Sequence, residues 1–181
     1  YEISLWMDAN ITVVDKAFYD AVESKIASGT VIAQVPHPYR QCVYEEIAQC
    51  YKDTRIGLLV AMRQLRHLES EGFPRQFGLF ENNLILRRHN DPSVVKVSEG
   101  WWNEYMSFST RDQLSLMPVY WKEGIFPELL LGQGVNSRNT PLLDVRKHPS
   151  TLMVTGTKGV RRLPLKARWS VRKLLSSIFL R

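Results

Sequence analysis

Between residues 3 and 124, apolar segments too short for helices alternate with longer stretches whose apolar residues return every three to four positions. That alternation constrains the fold more than any single motif, because strands interleaved with helices build an α/β architecture. Residues 3–7 and 30–35 read as buried strands, 11–14 as a shorter one, and 84–88 as a strand ending in Arg87-Arg88. A further strand is expected at 76–80, with Glu81-Asn82-Asn83 as a polar turn before the next. Residues 17–27 read as a helix stopped by Gly29. Tyr44, Ile47, Ala48 and Tyr51 form one helical stripe. Leu58, Ala61, Met62, Leu65 and Leu68 form another, capped by Asp53 or Thr54 and ended by Gly72-Phe73-Pro74. His89-Asn90-Asp91-Pro92 is expected to cap a helix through Trp101-Trp102, and one more helix is expected from about Thr110 to Gly124. Residues 132–150, rich in Gly, Asn, Ser and Pro, read as loop.

The charge is segregated. Of 24 basic residues eight lie in 151–181, which holds no acidic residue, leaving residues 1–150 with 16 basic against 18 acidic side chains. A domain at 1–150 and a basic tail at 151–181 follow. A nucleic-acid partner is not expected, because such a domain would carry its basic stripe on the fold itself. In 168–179, Val171, Leu174, Leu175 and Ile178 oppose Arg168, Arg172, Lys173, Ser176 and Ser177. This is the pattern either of an interfacial helix on an anionic membrane or of a helix packed on its own domain. No apolar run reaches the roughly 18 residues of a spanning helix, and no secretory signal pattern opens the chain. Only Cys42 and Cys50 are present, too few for a disulfide framework. The expected location is cytoplasmic, with the tail against the inner face of a membrane.

Asp8-Ala9-Asn10 directly follows a buried strand, at the carboxyl end where α/β sheets take ligands. Positions i and i+2 of an extended segment share a side, so Asp8 and Asn10 can offer two hard oxygens to one Mg²⁺ or Mn²⁺. An ordinary strand-end turn has the same residues. Further polar groups cluster at His37 and Arg40, at Arg87, Arg88, His89 and Asn90, and at Glu104, Arg111 and Asp112. Each alone has a bland reading: a structural histidine, an exposed arginine pair, a buried tryptophan pair. Gly132-Gln133-Gly134 and the segment 155–159 lack the context of nucleotide-binding loops, and no zinc spacing or serine elbow occurs.

In order, residues 5–11 (Leu-Trp-Met-Asp-Ala-Asn-Ile), 37–46 (His-Pro-Tyr-Arg-Gln-Cys-Val-Tyr-Glu-Glu), Gly72-Phe73-Pro74, 87–91 (Arg-Arg-His-Asn-Asp), 101–104 (Trp-Trp-Asn-Glu) and 109–115 (Ser-Thr-Arg-Asp-Gln-Leu-Ser) form a series. The series resembles the glycosyltransferase-like domain family, formerly a domain of unknown function, that includes plant mucilage-related proteins and bacterial polysaccharide-locus proteins. The resemblance runs from about residue 3 to 123. It implies a GT-A-like mixed sheet flanked by helices, a nucleotide-sugar donor, and a cell-surface or lipid-linked glycan as acceptor. It also implies that this chain is the second half of a longer enzyme, with the nucleotide-binding half before residue 1. On it Asp8 and Asn10 take the metal-motif positions, with a neutral Asn at the third. His37, Arg40, His89 and Asn90 line the site. Asp112-Gln113 resembles the pair that faces the donor sugar, beside Arg111, and Trp101-Trp102 walls the acceptor pocket. Negative charge growing on the departing diphosphate needs a cation or Arg/His groups, here Asp8, Asn10 and the metal helped by Arg88 or His89. A carboxylate base for the acceptor hydroxyl is expected at Glu104 or Asp112. The alternative is a non-catalytic, membrane-associated module that keeps the fold.

Overall fold

The structure, a computed structural model, describes residues 1–146. The expected tail from residue 151, and its amphipathic segment, lie outside the described residues. Six strands and five α-helices follow in the order β1 (Ile3–Met7), β2 (Ile11–Val13), α1 (Ala17–Ala27), β3 (Ile32–Pro36), α2 (Val43–Lys52), α3 (Leu58–Ser70), β4 (Phe80–Arg88), α4 (Pro92–Ser107), α5 (Leu116–Lys122), β5 (Glu128–Leu129) and β6 (Leu143–Val145). A short 3-10 helix, Asp112–Leu114, precedes α5.

The main sheet has the order β1-β4-β3-β5. β4 runs antiparallel to both β1 and β3, and β5 runs parallel to β3. The carboxyl ends of β1, β3 and β5 therefore lie at one edge together with the start of β4, while the end of β4 lies at the opposite edge. β2 and β6 form a separate antiparallel pair. Phe18 and Val22 of α1 bury against Ala33, Val35, Leu84 and Leu86, which alternate along β3 and β4 as a half-buried face requires. Burying a side chain such as Phe18 contributes about 2 to 3 kcal/mol. Across the sheet, Tyr120 of α5 donates its hydroxyl to Gln34 Oε1 at 2.6 Å, a fully buried contact that ties helix to strand. α4 and α5 approach so closely that a Cβ on Gly100 would meet a Val119 methyl at 2.8 Å, so a larger residue there would force Val119 or the helices to shift.

Several local expectations are corrected. Residues 76–79 do not form a strand, because Gly78 takes φ +100° against the Phe126 ring, and only Phe80 of the expected segment is extended, as the first residue of β4. Glu81-Asn82-Asn83 is not a turn but the interior of β4, where Glu81, Asn82 Oδ1 and Asn83 Nδ2 find tertiary partners, while Asn82 Nδ2 and Asn83 Oδ1 are buried without one among the described residues. The helix expected from Thr110 is broken at Ser115, since Pro118 has no N–H and is tolerated only in a first turn. Asp53 ends α2 instead of capping α3, which starts after Gly57. Within the expected loop, residues 143–145 pair with β2. Asp91 does cap α4, accepting from the Ser93 N–H at 2.9 Å with Pro92 at the first helical position.

Candidate active site

β1 delivers Asp8 to the carboxyl edge, where its N–H donates to Asn83 O at 2.9 Å. From the other direction the 3-10 helix brings Gln113, whose Oε1 accepts from Asn82 N at 3.4 Å and whose amide nitrogen donates to Phe80 O. Asp8 and the Asp112-Gln113 segment thus meet β4 at consecutive residues. The Asp8 and Asp112 carboxylates are both half-buried, and neither takes a hydrogen bond or ion pair among the described residues. Asn10 donates its amide nitrogen to Arg146 O at 3.0 Å, which leaves its oxygen as an acceptor.

β3 ends at Pro36, and His37 N donates to Leu79 O at 2.9 Å, setting the imidazole at the same edge. Its Nδ1 accepts from the N–H groups of Tyr39 and Arg40 at 3.2 and 3.1 Å, so the proton of the neutral ring sits on Nε2. Nε2 lies 3.8 Å from Glu46 Oε2 and 3.4 Å from Arg40 Nη2. Burial, then the Arg40 guanidinium, hold the imidazole below its usual 6.5 against the opposing pull of Glu46 and Glu81, with Arg138 adding to the lowering. Glu46, 2% exposed, accepts from Arg40 Nε and from Cys50 Sγ at 3.3 Å. Burial and that carboxylate push the Cys50 thiol up to about 11, so it is an inert packed group. Arg111 lies close enough to Cys50 to oppose that rise, and its buried Nε has no hydrogen-bond partner among the described residues.

One cluster, around Glu81, escaped the sequence reading. Glu81, 5% exposed, accepts from Arg138 Nη1 and from Ser137 Oγ at 2.6 Å, and Asn83 donates to the same Oγ at 3.0 Å. The sequence carried no local signal for it, since a polar triplet reads as a turn until the strand that contains it is known.

Other expected residues lie elsewhere. Arg88, His89 and Asn90 stand at the far edge of the sheet, about 20 Å from Asn83 at the strand rise of about 3.3 Å per residue. Antiparallel β4 carries them away. Arg88 donates to Thr30 O at 3.1 Å and Ile26 O at 2.5 Å, closing the end of α1, and His89 N donates to Glu2 O. Glu104 is committed between helices: both its oxygens lie 3.0 Å from His67 Nε2, and Oε1 lies 3.3 Å from Lys122 Nζ. His67 stacks on Phe108 with ring centroids 3.7 Å apart. Trp101 donates to Ser115 Oγ at 3.0 Å and so pins α4 to the start of α5. Trp102, 63% exposed, stacks on Tyr105 beside a surface depression lined by Ser98, Glu99 and Asn103.

A divalent cation fits the donors present at the edge only in part. Asp8 supplies one uncommitted carboxylate and Asn10 a neutral oxygen, a set suited to Mg²⁺ or Mn²⁺ that keeps waters and shares substrate phosphate. Among the described residues no three His, Cys, Asp or Glu side chains group as a metal cage.

A four-stranded mixed sheet flanked by helices, with its polar groups gathered at the edge, is the architecture of a GT-A-like partial fold. The sequence pattern of the TOD1/MUCI70 glycosyltransferase-like domain family matches residues 1–128, and the chain belongs to that family. Neither the curated proteins nor the solved structures contain a match to the chain.

Proposed function

We propose that this domain is a metal-assisted glycosyltransferase that moves a sugar from a nucleotide-sugar donor to a cell-surface or lipid-linked glycan. The observation that carries the reading is the meeting of Asp8 and Asp112-Gln113 on consecutive residues of β4, with both carboxylates uncommitted. Asp8 and the Asn10 oxygen would hold Mg²⁺ or Mn²⁺, which when bound supplies charge to balance the departing diphosphate. Asp112 takes the proton of the acceptor hydroxyl, the task left to it because Glu104 is engaged by His67 and Lys122. Gln113, fastened to the β4 backbone, sets the position of Asp112. No helix among the described residues is long and apolar enough to cross a membrane. The basic segment 151–181 would bring the enzyme to an anionic inner membrane face, where a lipid-linked acceptor resides.

The test is calorimetric titration of uridine and guanosine diphosphate, with and without Mn²⁺, together with sugar-transfer assays on the full chain. Asp8→Ala should weaken metal-dependent binding at least tenfold, and Asp112→Asn should leave binding intact while lowering transfer about 10²- to 10⁴-fold. Unchanged binding in Asp8→Ala, or full activity in Asp112→Asn, would overturn the assignment. A non-catalytic module is the second reading, favoured by the neutral Asn10 whose amide is tied to Arg146. Folded protein that binds neither nucleotide would establish it.

A further inference from the structure

Two arginines flank His37 at the carboxyl edge, and each is anchored by a buried carboxylate. Arg40, 22% exposed, is held by Glu46, and Arg138, 40% exposed, by Glu81. Val35 pairs with Glu81 and His37 N bonds to Leu79 O, so Glu81 and His37 are close neighbours across β3 and β4. The charges of Arg40 and Arg138 both reach the imidazole.

The arginine on the β4 side is delivered by a loop that is itself braced. Asn136 Oδ1 accepts from Arg138 N at 2.9 Å, Asn139 Oδ1 accepts from Asn136 N at 2.8 Å, and Asn139 Nδ2 donates to Gly134 O at 3.0 Å. Such side-chain-to-backbone bonds fix a loop without regular structure. The bonds of Arg138 to Glu81 and Ser137 use only Nη1, which leaves the rest of a half-exposed guanidinium fork available. Arg40 spends Nε on Glu46 and sets Nη2 against the imidazole, so its Nη1 and the outer face of the Arg138 fork are what remain, and two such anchored cations match an anion with oxygens on two adjacent centres. The metal motif strengthens the case. With Asn10 uncharged, Asp8 alone recruits the cation, and a diphosphate needs other positive charge.

We propose that Arg40 and Arg138 form a two-arginine seat for a diphosphate, and that residues 132–140 therefore belong to the site. This rests on the donor reading above. Glu81 competes with the ligand for Arg138, so the loop holds its arginine in place until the anion arrives.

The experiment is calorimetry on the full chain with inorganic pyrophosphate, uridine diphosphate, guanosine diphosphate and inorganic phosphate, with chelator and with Mg²⁺. Arg138→Ala should weaken pyrophosphate at least tenfold, Arg138→Lys should recover part of that, and Arg40→Lys, which keeps Glu46 paired with a cation, should weaken it several-fold. Glu81→Gln should tighten pyrophosphate about threefold, whereas a purely structural clasp would leave binding unchanged or weaker. Thermal melts establish that each variant is folded. Pyrophosphate binding that ignores Arg138→Ala in folded protein, phosphate bound as tightly as pyrophosphate, or no binding to the wild type would each overturn the seat. Arginine-dependent pyrophosphate binding with nucleoside diphosphates no tighter would keep the seat and remove the donor reading. Nucleotide binding lost in Asp8→Ala but intact in Arg138→Ala would do the reverse.

Discussion

Replacing Glu104 with glutamine keeps its shape and removes its charge, and the structure sets the size of the consequence. The carboxylate, 8% exposed, serves two donors, His67 Nε2 at 3.0 Å and Lys122 Nζ at 3.3 Å, and so clasps α3, α4 and α5. Burial works against the Lys122 ammonium, but its hydrogen bonds to Glu71 and Glu104 more than offset this and hold it above its usual range. A hydrogen bond to a charged partner contributes about 1.5 to 3 kcal/mol. Lys122 keeps Glu71 at 3.1 Å after the change and the carboxamide oxygen can still accept, so the loss is the charge carried by the His67 and Lys122 bonds, about 2 to 3 kcal/mol together. With a urea slope of about 1 to 3 kcal/mol per molar, the midpoint should fall by roughly 1 to 2 M. Urea unfolding followed by circular dichroism and tryptophan fluorescence measures it, and a His67→Ala/Glu104→Gln cycle should show coupling of at least about 1 kcal/mol. Sugar transfer by the folded variant should stay within a few-fold of wild type. An unchanged midpoint, or a hundredfold loss of transfer in protein that remains folded, would refute the clasp and return Glu104 to the role of base.

Gln34→Leu should be more damaging than Tyr120→Phe, because it strands three buried groups, the Tyr120 hydroxyl, Asn82 Oδ1 and Glu81 O, instead of one. At about 1 to 3 kcal/mol each, the expected loss is about 3 to 6 kcal/mol, against about 1 to 2 for Tyr120→Phe; equal urea midpoints would contradict this. For His37, whose folded value lies below 6.5, the unfolded chain binds a proton that the folded chain refuses. Its stabilising contribution is therefore complete above pH 6.5 and is lost as pH falls toward the folded value. Ring-resonance titration should place His37 below 6.5, and Arg40→Gln should move it upward; a titration at or above 6.5 in the wild type would exclude the arrangement.

Periodicity alone determined the class of fold. The short apolar runs of β1 and β3, the stripes of α2 and α3 and the Asp91-Pro92 start of α4 are local signals that tertiary context had no reason to override. The strand-end position of Asp8 and the arrival of His37 after β3 were equally legible, since a strand's end is set by where its apolar run stops. What the sequence could not carry was direction. Arg87, Arg88, His89 and Asn90 sit at a strand end as read, but antiparallel pairing turns that end to the edge opposite Asp8, and direction is a property of the sheet. Polarity misled for the same reason at Glu81-Asn82-Asn83. A polar triplet reads as a turn when water is its only partner, and only folding brings Gln34, Ser137 and Arg138, 48 to 57 residues away along the chain, to bond it inside a strand. Glu104 and Asp112 are indistinguishable as carboxylates in sequence; the packing of α3, α4 and α5 commits the first to His67 and Lys122 and leaves the second free at the edge.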